Sequence, residues 1–279
     1  MDFDIRTPDT AYFFLLDFLK MNGEEFIDEH HINCEADYEL FWDRNFDRID
    51  QVDISGLRFI GFHITSNWDN CAEIRAKGLM DLKRVLSEET SLNHLLRSHG
   101  IVFDIVRKLV YENGKEIDID YNKFIHRNRF SLSEYEEKIM KVAHRVYYDY
   151  LVNGFYTNDN VFGYGTQIHE RPEFFIELTN LFPQLQKAEH YWKTNSRSYK
   201  ITFFAYLNQL APFSFDLNNL NDPPFDDWYD LTMEQRLKKQ MLRFAIERAF
   251  ENLSEQYMYI KNGIGIPPDQ IISYEEITE

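Results

Sequence analysis

Cysteine is scarce in this 279-residue chain: Cys34 and Cys71 stand far apart and form no CxxC pair. That argues against a disulfide scaffold and against a structural zinc site. No uncharged apolar run reaches the ~18 residues that a membrane-spanning helix needs. Positive charge is also short, with 30 Lys and Arg against 47 Asp and Glu, a net charge of −17 and a pI near 4.9. Such a surface repels phosphate backbones and anionic membranes, which disfavours nonspecific nucleic-acid binding and membrane docking. The opening residues, MDFDIRTPDT, lack the basic start and apolar core of a signal peptide, so the expected location is the reducing cytoplasm.

Several motifs of known chemistry are missing as well. There is no G-x-x-x-x-G-K-[ST], and the stretch nearest to G-x-G-x-x-G, NGIGIPP, runs into two prolines. H-E-x-x-H and G-x-S-x-G do not occur. His30 and His31, in EEFIDEHHIN, read as a solvated helix end because spacing places no third ligand beside them. His126 and the pair His169-Glu170 are similarly isolated, and no metal ligands are assigned.

What is present is an aromatic-rich globular chain, with 44% apolar residues, 24 Phe and 17 Tyr. The N-terminal region reads as helical. Thr7 precedes Pro8 as a helix start, Tyr12, Phe13, Leu15, Leu16 and Leu19 recur at helical spacing, and Gly23 is the expected stop. A second, acidic helix is expected over about 35–49. LRFIGFHIT over 57–65 reads as a strand, followed by a helix capped by Ser66 or Asn67 and closed by Gly78. Short helices are expected near 82–86 and 92–97, and Asn113-Gly114 between two alternating runs marks a hairpin. A long amphipathic helix over 133–152, capped by Ser131 or Ser133, has Gly154 just past its end. Further on come a helix from Pro172 to Leu181, a strand over 199–207, and an acidic NDPPFDDW loop. A Thr232/Gln235 capping box then opens a helix ending near Asn252, and the strands YMYIK and QIISY close the chain. Helices and strands mix without regular βαβ alternation, which favours α+β with an antiparallel or mixed sheet.

Three separated pieces carry the functional expectation. The first is FHIT, ending a strand, then a helix closing in a Gly-Leu pair; it sets His63 and Thr65 at a strand-to-helix turn. The second is NGFYTNDNVFGYG, with Tyr156 and Tyr164, and the third is SEQYMYIKNGIGIPPDQI, opening on Glu255. Together they resemble the ADP-ribosyltransferase superfamily in its His-Tyr-Glu branch. The likeness covers about half the chain, with a large insertion over about 82–150. The branch marked by Arg, Ser-Thr-Ser and Glu-x-Glu fits less well, because Leu253 stands two positions before Glu255.

The resemblance implies an ADP-ribosyltransferase-type split sheet over 56–279, carrying a helical extension over 1–55 on its core. It implies NAD as substrate and transfer of ADP-ribose to a macromolecular acceptor, or NAD cleavage by a relative. His63 would bond the adenosine ribose with Thr65 beside it, and Tyr156 and Tyr164 would sandwich the nicotinamide. Glu255 would bond the nicotinamide-ribose 2′-hydroxyl, with Glu251 as a fallback carboxylate. The chemistry is coherent: N-glycosidic cleavage builds positive charge on the sugar, which a fixed carboxylate opposes and aromatic faces help to hold. Toxins and phage or defence proteins are the expected setting. Two alternatives stand beside it. One is a non-catalytic acidic protein that mimics nucleic acid or occupies a basic partner; the other is a degenerate transferase fold that binds nucleotide without consuming it.

Overall fold

The computed structural model describes residues 1–127, 131–215, 217, 228 and 230–278, and the chain is α+β. It begins with strand β1 (Asp2–Phe3) and helices α1 (Pro8–Leu19), α2 (Gly23–Ile27) and α3 (Tyr38–Asp50), a π-helical turn Asp28–Asn33 lying between the last two. Strand β2 (Arg58–Asn67) precedes three short helices, α4 (Ala72–Lys77), α5 (Leu82–Ser87) and α6 (Ser91–Ser98). A meander of β3 (Ile101–Asp104), β4 (Leu109–Glu112) and β5 (Lys115–Asp118) follows, then α7 (Glu134–Tyr147) and β6 (Asn153–Asn158). The remainder comprises α8 (Phe174–Leu181), α9 (Gln186–Asn195), β7 (Arg197–Tyr206), α10 (Met233–Phe250), β8 (Glu255–Tyr259) and β9 (Ile271–Ile277). Positions 221–227 of the acidic NDPPFDDW loop lie outside the described residues.

The main sheet runs β8-β6-β2-β7-β9, with β1 paired to β2, and β3-β4-β5 form a second sheet. Pairing of β1 with β2 is parallel, so the larger sheet is mixed. Two compact units divide the chain. One comprises Met1–Phe62, Asn153–Asp159 and Phe203–Tyr259; the other comprises His63–Val152, Asn160–Thr202 and Ile260–Glu279.

In the first unit, local chemistry starts each helix. The Thr7 and Thr10 side chains close a capping box on α1, and Thr232 with Gln235 does the same for α10. Each such cap contributes about 1 kcal/mol. Helix α1 lays Phe14, Leu15, Phe18 and Leu19 into the core, where Phe3, Phe59 and Phe215 join them, all nearly inaccessible to solvent. Burying one such ring stabilises by about 1.5–3 kcal/mol, so the phenylalanine-rich composition becomes the core of this unit. Two expected stops differ. Helix α1 ends on Lys20 in the left-handed region, and Gly23 instead opens α2 behind an Asn22 cap. Gly154 lies inside β6 rather than after a helix: a Cβ there would come 2.8 Å from the Phe62 carbonyl oxygen, so close strand approach requires glycine.

In the second unit, Ser133 caps α7, and the β4–β5 turn places Asn113 and Gly114 at φ 50° and 84°, as a tight hairpin requires. Leu96, Ile101, Val110, Val142, Val146, Phe175, Leu178 and Trp192 share one apolar core. Gly78 closes α4 at φ 79°, and a Cβ on it would stand 2.0 Å from the Ile266 carbonyl oxygen. The next residue, Leu79, exchanges both backbone hydrogen bonds with Ile266, at 2.8 and 2.9 Å. The Gly-Leu pair therefore ties the end of α4 to the chain just before β9.

Candidate functional site

His63 and Thr65 are partly buried on β2 in the second unit. Ser66 was one of two expected caps for the next helix, but it has another duty: its buried hydroxyl accepts the Trp192 indole N–H at 2.9 Å. The turn into α4 is organised by Asn67, whose Oδ1 accepts the Cys71 amide at 2.9 Å, and by Asp69, which accepts the Ala72 and Glu73 amides. Asn70 and Cys71 both occupy the left-handed region, and the Tyr199 hydroxyl bonds Asn70 Oδ1 at 3.0 Å. A residue pair held at positive φ is locally unfavourable, and here side-chain bonds on both flanks hold it.

Tyr164, also in the second unit, is partly buried and follows a 3-10 turn, Val161–Gly163, capped by Asn160. The loop behind it is anchored by a buried Arg171 paired with Glu189, by Lys193 on Glu170 at 2.9 Å, and by the Ser198 hydroxyl on the His169 carbonyl at 2.6 Å. The Lys193 ammonium holds the Glu170 carboxyl below its usual range.

Tyr156 and Glu255 belong to the first unit, on the neighbouring strands β6 and β8. Their surroundings differ sharply. Tyr156 is 0% exposed, with the Phe3 ring edge-on at 5.4 Å and the Phe215 ring at 5.6 Å. Its hydroxyl is buried without a hydrogen-bond partner, and burial pushes its pKa well above the usual phenol value. The resemblance implies a ring that stacks on nicotinamide; in this arrangement the ring presents no face to a ligand. The cause lies in the N-terminal segment. Pairing Asp2 with Arg58 and Phe3 with Phe59 inserts Phe3 beside Tyr156. Glu255, by contrast, is exposed and pairs across the strands with Asn158, whose Nδ2 donates to Glu255 Oε2 at 2.7 Å. Glu251, the fallback carboxylate, follows the last turn of α10 and is exposed.

A residue that sequence reasoning did not single out fixes the segment leading to Glu255. Arg248 is 8% exposed and clasps Asp159 with two 2.7 Å bonds. It also donates to the carbonyls of Leu253 at 2.8 Å and Arg6 at 3.0 Å. Asp159 in turn bonds the Ser254 carbonyl through its amide, at 3.0 Å, and the guanidinium holds the Asp159 carboxyl below its usual range. One arginine thereby joins the N-terminal segment, the end of β6 and the entry to β8. The only local signal was an arginine in the last turn of a helix, where cations are common for dipole reasons.

His30 departs from its expected solvated position. It is 2% exposed, stacked with Phe26 at 5.4 Å and Phe250 at 5.9 Å, and edge-on to Phe41 at 5.1 Å. Neither ring nitrogen has a hydrogen-bond partner, and burial with the adjacent His31 pushes its pKa down to about 4. His30 follows the buried Phe26 by four residues, which places both rings on one inward helix face. Among the described residues, no three His, Cys, Asp or Glu side chains are grouped to hold a metal ion.

Compared with protein-family models, curated proteins and solved structures, the chain matches none.

Proposed function

We propose that the chain is an NAD-dependent mono-ADP-ribosyltransferase, or an NAD-cleaving relative, acting on a macromolecular target. The observation that supports this reading is the strand order. The three sequence pieces fall on β8, β6 and β2, three successive neighbours of one sheet. Within the first unit, Tyr156 and Glu255, 99 residues apart in sequence, fall on the paired strands β6 and β8. On this reading Glu255, exposed and held by Asn158, bonds the ribose 2′-hydroxyl and opposes the positive charge that grows as nicotinamide leaves. His63 and Thr65 bind the adenosine ribose. Tyr164 supplies the stacking ring, and Tyr156 serves as a wall of the core beneath. The test is nicotinamide release from NAD, with NAD-induced thermal stabilisation as an independent readout. Glu255→Gln should abolish release while leaving the melting temperature of the free protein unchanged. If NAD neither stabilises the protein nor is cleaved, the proposal fails.

A second reading, an acidic protein that occupies a basic partner, is favoured by where the charge lies. The first 57 residues hold 15 carboxylates against four Lys and Arg, so −11 of the net −17 falls on a fifth of the chain. It predicts salt-sensitive binding to a basic partner that Glu255→Gln does not alter.

A further inference from the structure

Helix α1 carries Asp9, Phe13 and Asp17 four residues apart, and all three are exposed. At that spacing they lie along one face of the helix. Phe13 is 66% exposed, an unusual position for a phenylalanine in a unit whose other rings are mostly enclosed. It is not isolated. Its ring lies 6.4 Å from Tyr12, which stands edge-on to Phe250 at 5.7 Å, and Phe250 is itself 38% exposed at the end of α10. The result is an aromatic patch spanning α1 and α10, both within the first unit.

The carboxylates on these elements are unusual too. Asp9, Asp17, Glu24, Asp28 and Glu251 are exposed, and none is ion-paired among the described residues. Elsewhere in this unit acidic groups are commonly used up: Asp4 holds Arg6, Glu29 holds Arg44, and Asp159 holds Arg248. Exposed apolar rings among unpaired like charges are jointly unfavourable in water. Both penalties are relieved by one type of occupant, an apolar anchor flanked by cations.

We infer that this patch docks a Lys- and Arg-rich amphipathic helix of a protein partner. Its apolar stripe would cover Phe13 and Phe250, and its basic residues would face Asp9, Asp17, Glu24 and Glu251. A second copy of this chain does not fit, because pairing the patch with itself would oppose two unpaired acidic rims. Nucleic acid does not fit for the same electrostatic reason. The inference rests on the second reading above, and it adds the surface and the chemistry of the occupant.

The test uses the full chain and a fluorescent 18-residue Leu/Lys amphipathic peptide, read by anisotropy. A scrambled peptide of the same composition serves as the control. Binding should be at least tenfold tighter for the amphipathic peptide, and Phe13→Ser should weaken it at least tenfold without moving the melting temperature. The double change Asp9→Asn with Asp17→Asn should weaken binding and flatten its dependence on salt. Three results would overturn the inference. If both peptides bind alike and Phe13→Ser changes nothing, the acidic reading survives but this patch is not its surface. If Phe13→Ser instead abolishes a concentration-dependent dimer, the occupant is a second copy. If neither peptide binds at low salt, the acidic reading falls along with the patch.

Discussion

Replacing His30 with phenylalanine should remove an acid-sensitive weak point from the first unit. Neutral His30 carries one N–H donor and one acceptor, both buried and both without partners. Protonating it inside the cage of Phe26, Phe41 and Phe250 would bury a charge beside His31, which explains why its pKa falls to about 4. The folded state therefore holds its proton less tightly than the unfolded chain, where histidine titrates near 6.5. Stability from this residue is complete above about pH 6.5 and is lost progressively as pH falls toward 4. At pH 5 the loss relative to pH 7.5 comes to about 1–2 kcal/mol, the lower figure allowing for solvent screening. Phenylalanine fits a cage of stacked rings, has no titration, and removes the orphaned nitrogens, so His30→Phe should also stabilise at pH 7.5 by about 1 kcal/mol. Urea unfolding of both proteins at pH 7.5, 6 and 5 measures this, since carboxylates contribute equally to each and cancel in the difference. The gap between the two proteins should widen by 1–2 kcal/mol from pH 7.5 to 5. A gap that stays constant across that range, or a wild type that gains stability on acidification relative to the variant, would refute the reasoning.

Three further outcomes follow from the packing. Arg248→Met should destabilise by about 1–3 kcal/mol in chemical unfolding, because it removes the partner of the Asp159 carboxylate and of the partly buried Leu253 and Arg6 carbonyls; Asp159→Asn should cost less, as that side chain is half exposed. Tyr156→Phe removes an unpartnered hydroxyl without changing shape, so it should be neutral or stabilising by up to about 1–2 kcal/mol in thermal unfolding. Gly78→Ala should lower stability by more than about 1 kcal/mol, since φ is 79° and the new Cβ would meet the Ile266 carbonyl oxygen at 2.0 Å.

The features legible in the amino-acid sequence are those decided within a few residues. Thr7 before Pro8, Thr232 with Gln235, and Asn113-Gly114 each carry their geometry in adjacent side chains, and each lies where the pattern puts it. Most of the longer helices and strands were legible for the same reason, whereas β1, α2, β3 and α9 were not expected. What could not be read depends on partners far away in sequence. Gly154 looks like a helix stop until Phe62, some ninety residues earlier, is seen to press against it. Tyr156 reads as a candidate ligand-facing ring until Phe3 is paired beside it through Arg58 and Phe59. Ser66 has the look of a cap, yet Trp192 claims its hydroxyl across 126 positions. His30 was misplaced for a different reason: it follows the buried Phe26 by four residues, on the same helix face, but the acidic residues around it suggest a solvated end. Arg248 gave only the weak signal of a basic residue in a last helical turn, and two of its three partners, Asp159 and Arg6, come from distant segments.

The most direct test of the central claim is calorimetric and enzymatic titration of the wild type and Glu255→Gln with NAD. The proposal predicts that both proteins bind NAD and that only the wild type releases nicotinamide. Equal release by the two proteins would remove Glu255 from the chemistry, and the absence of any NAD binding by either would contradict the account altogether.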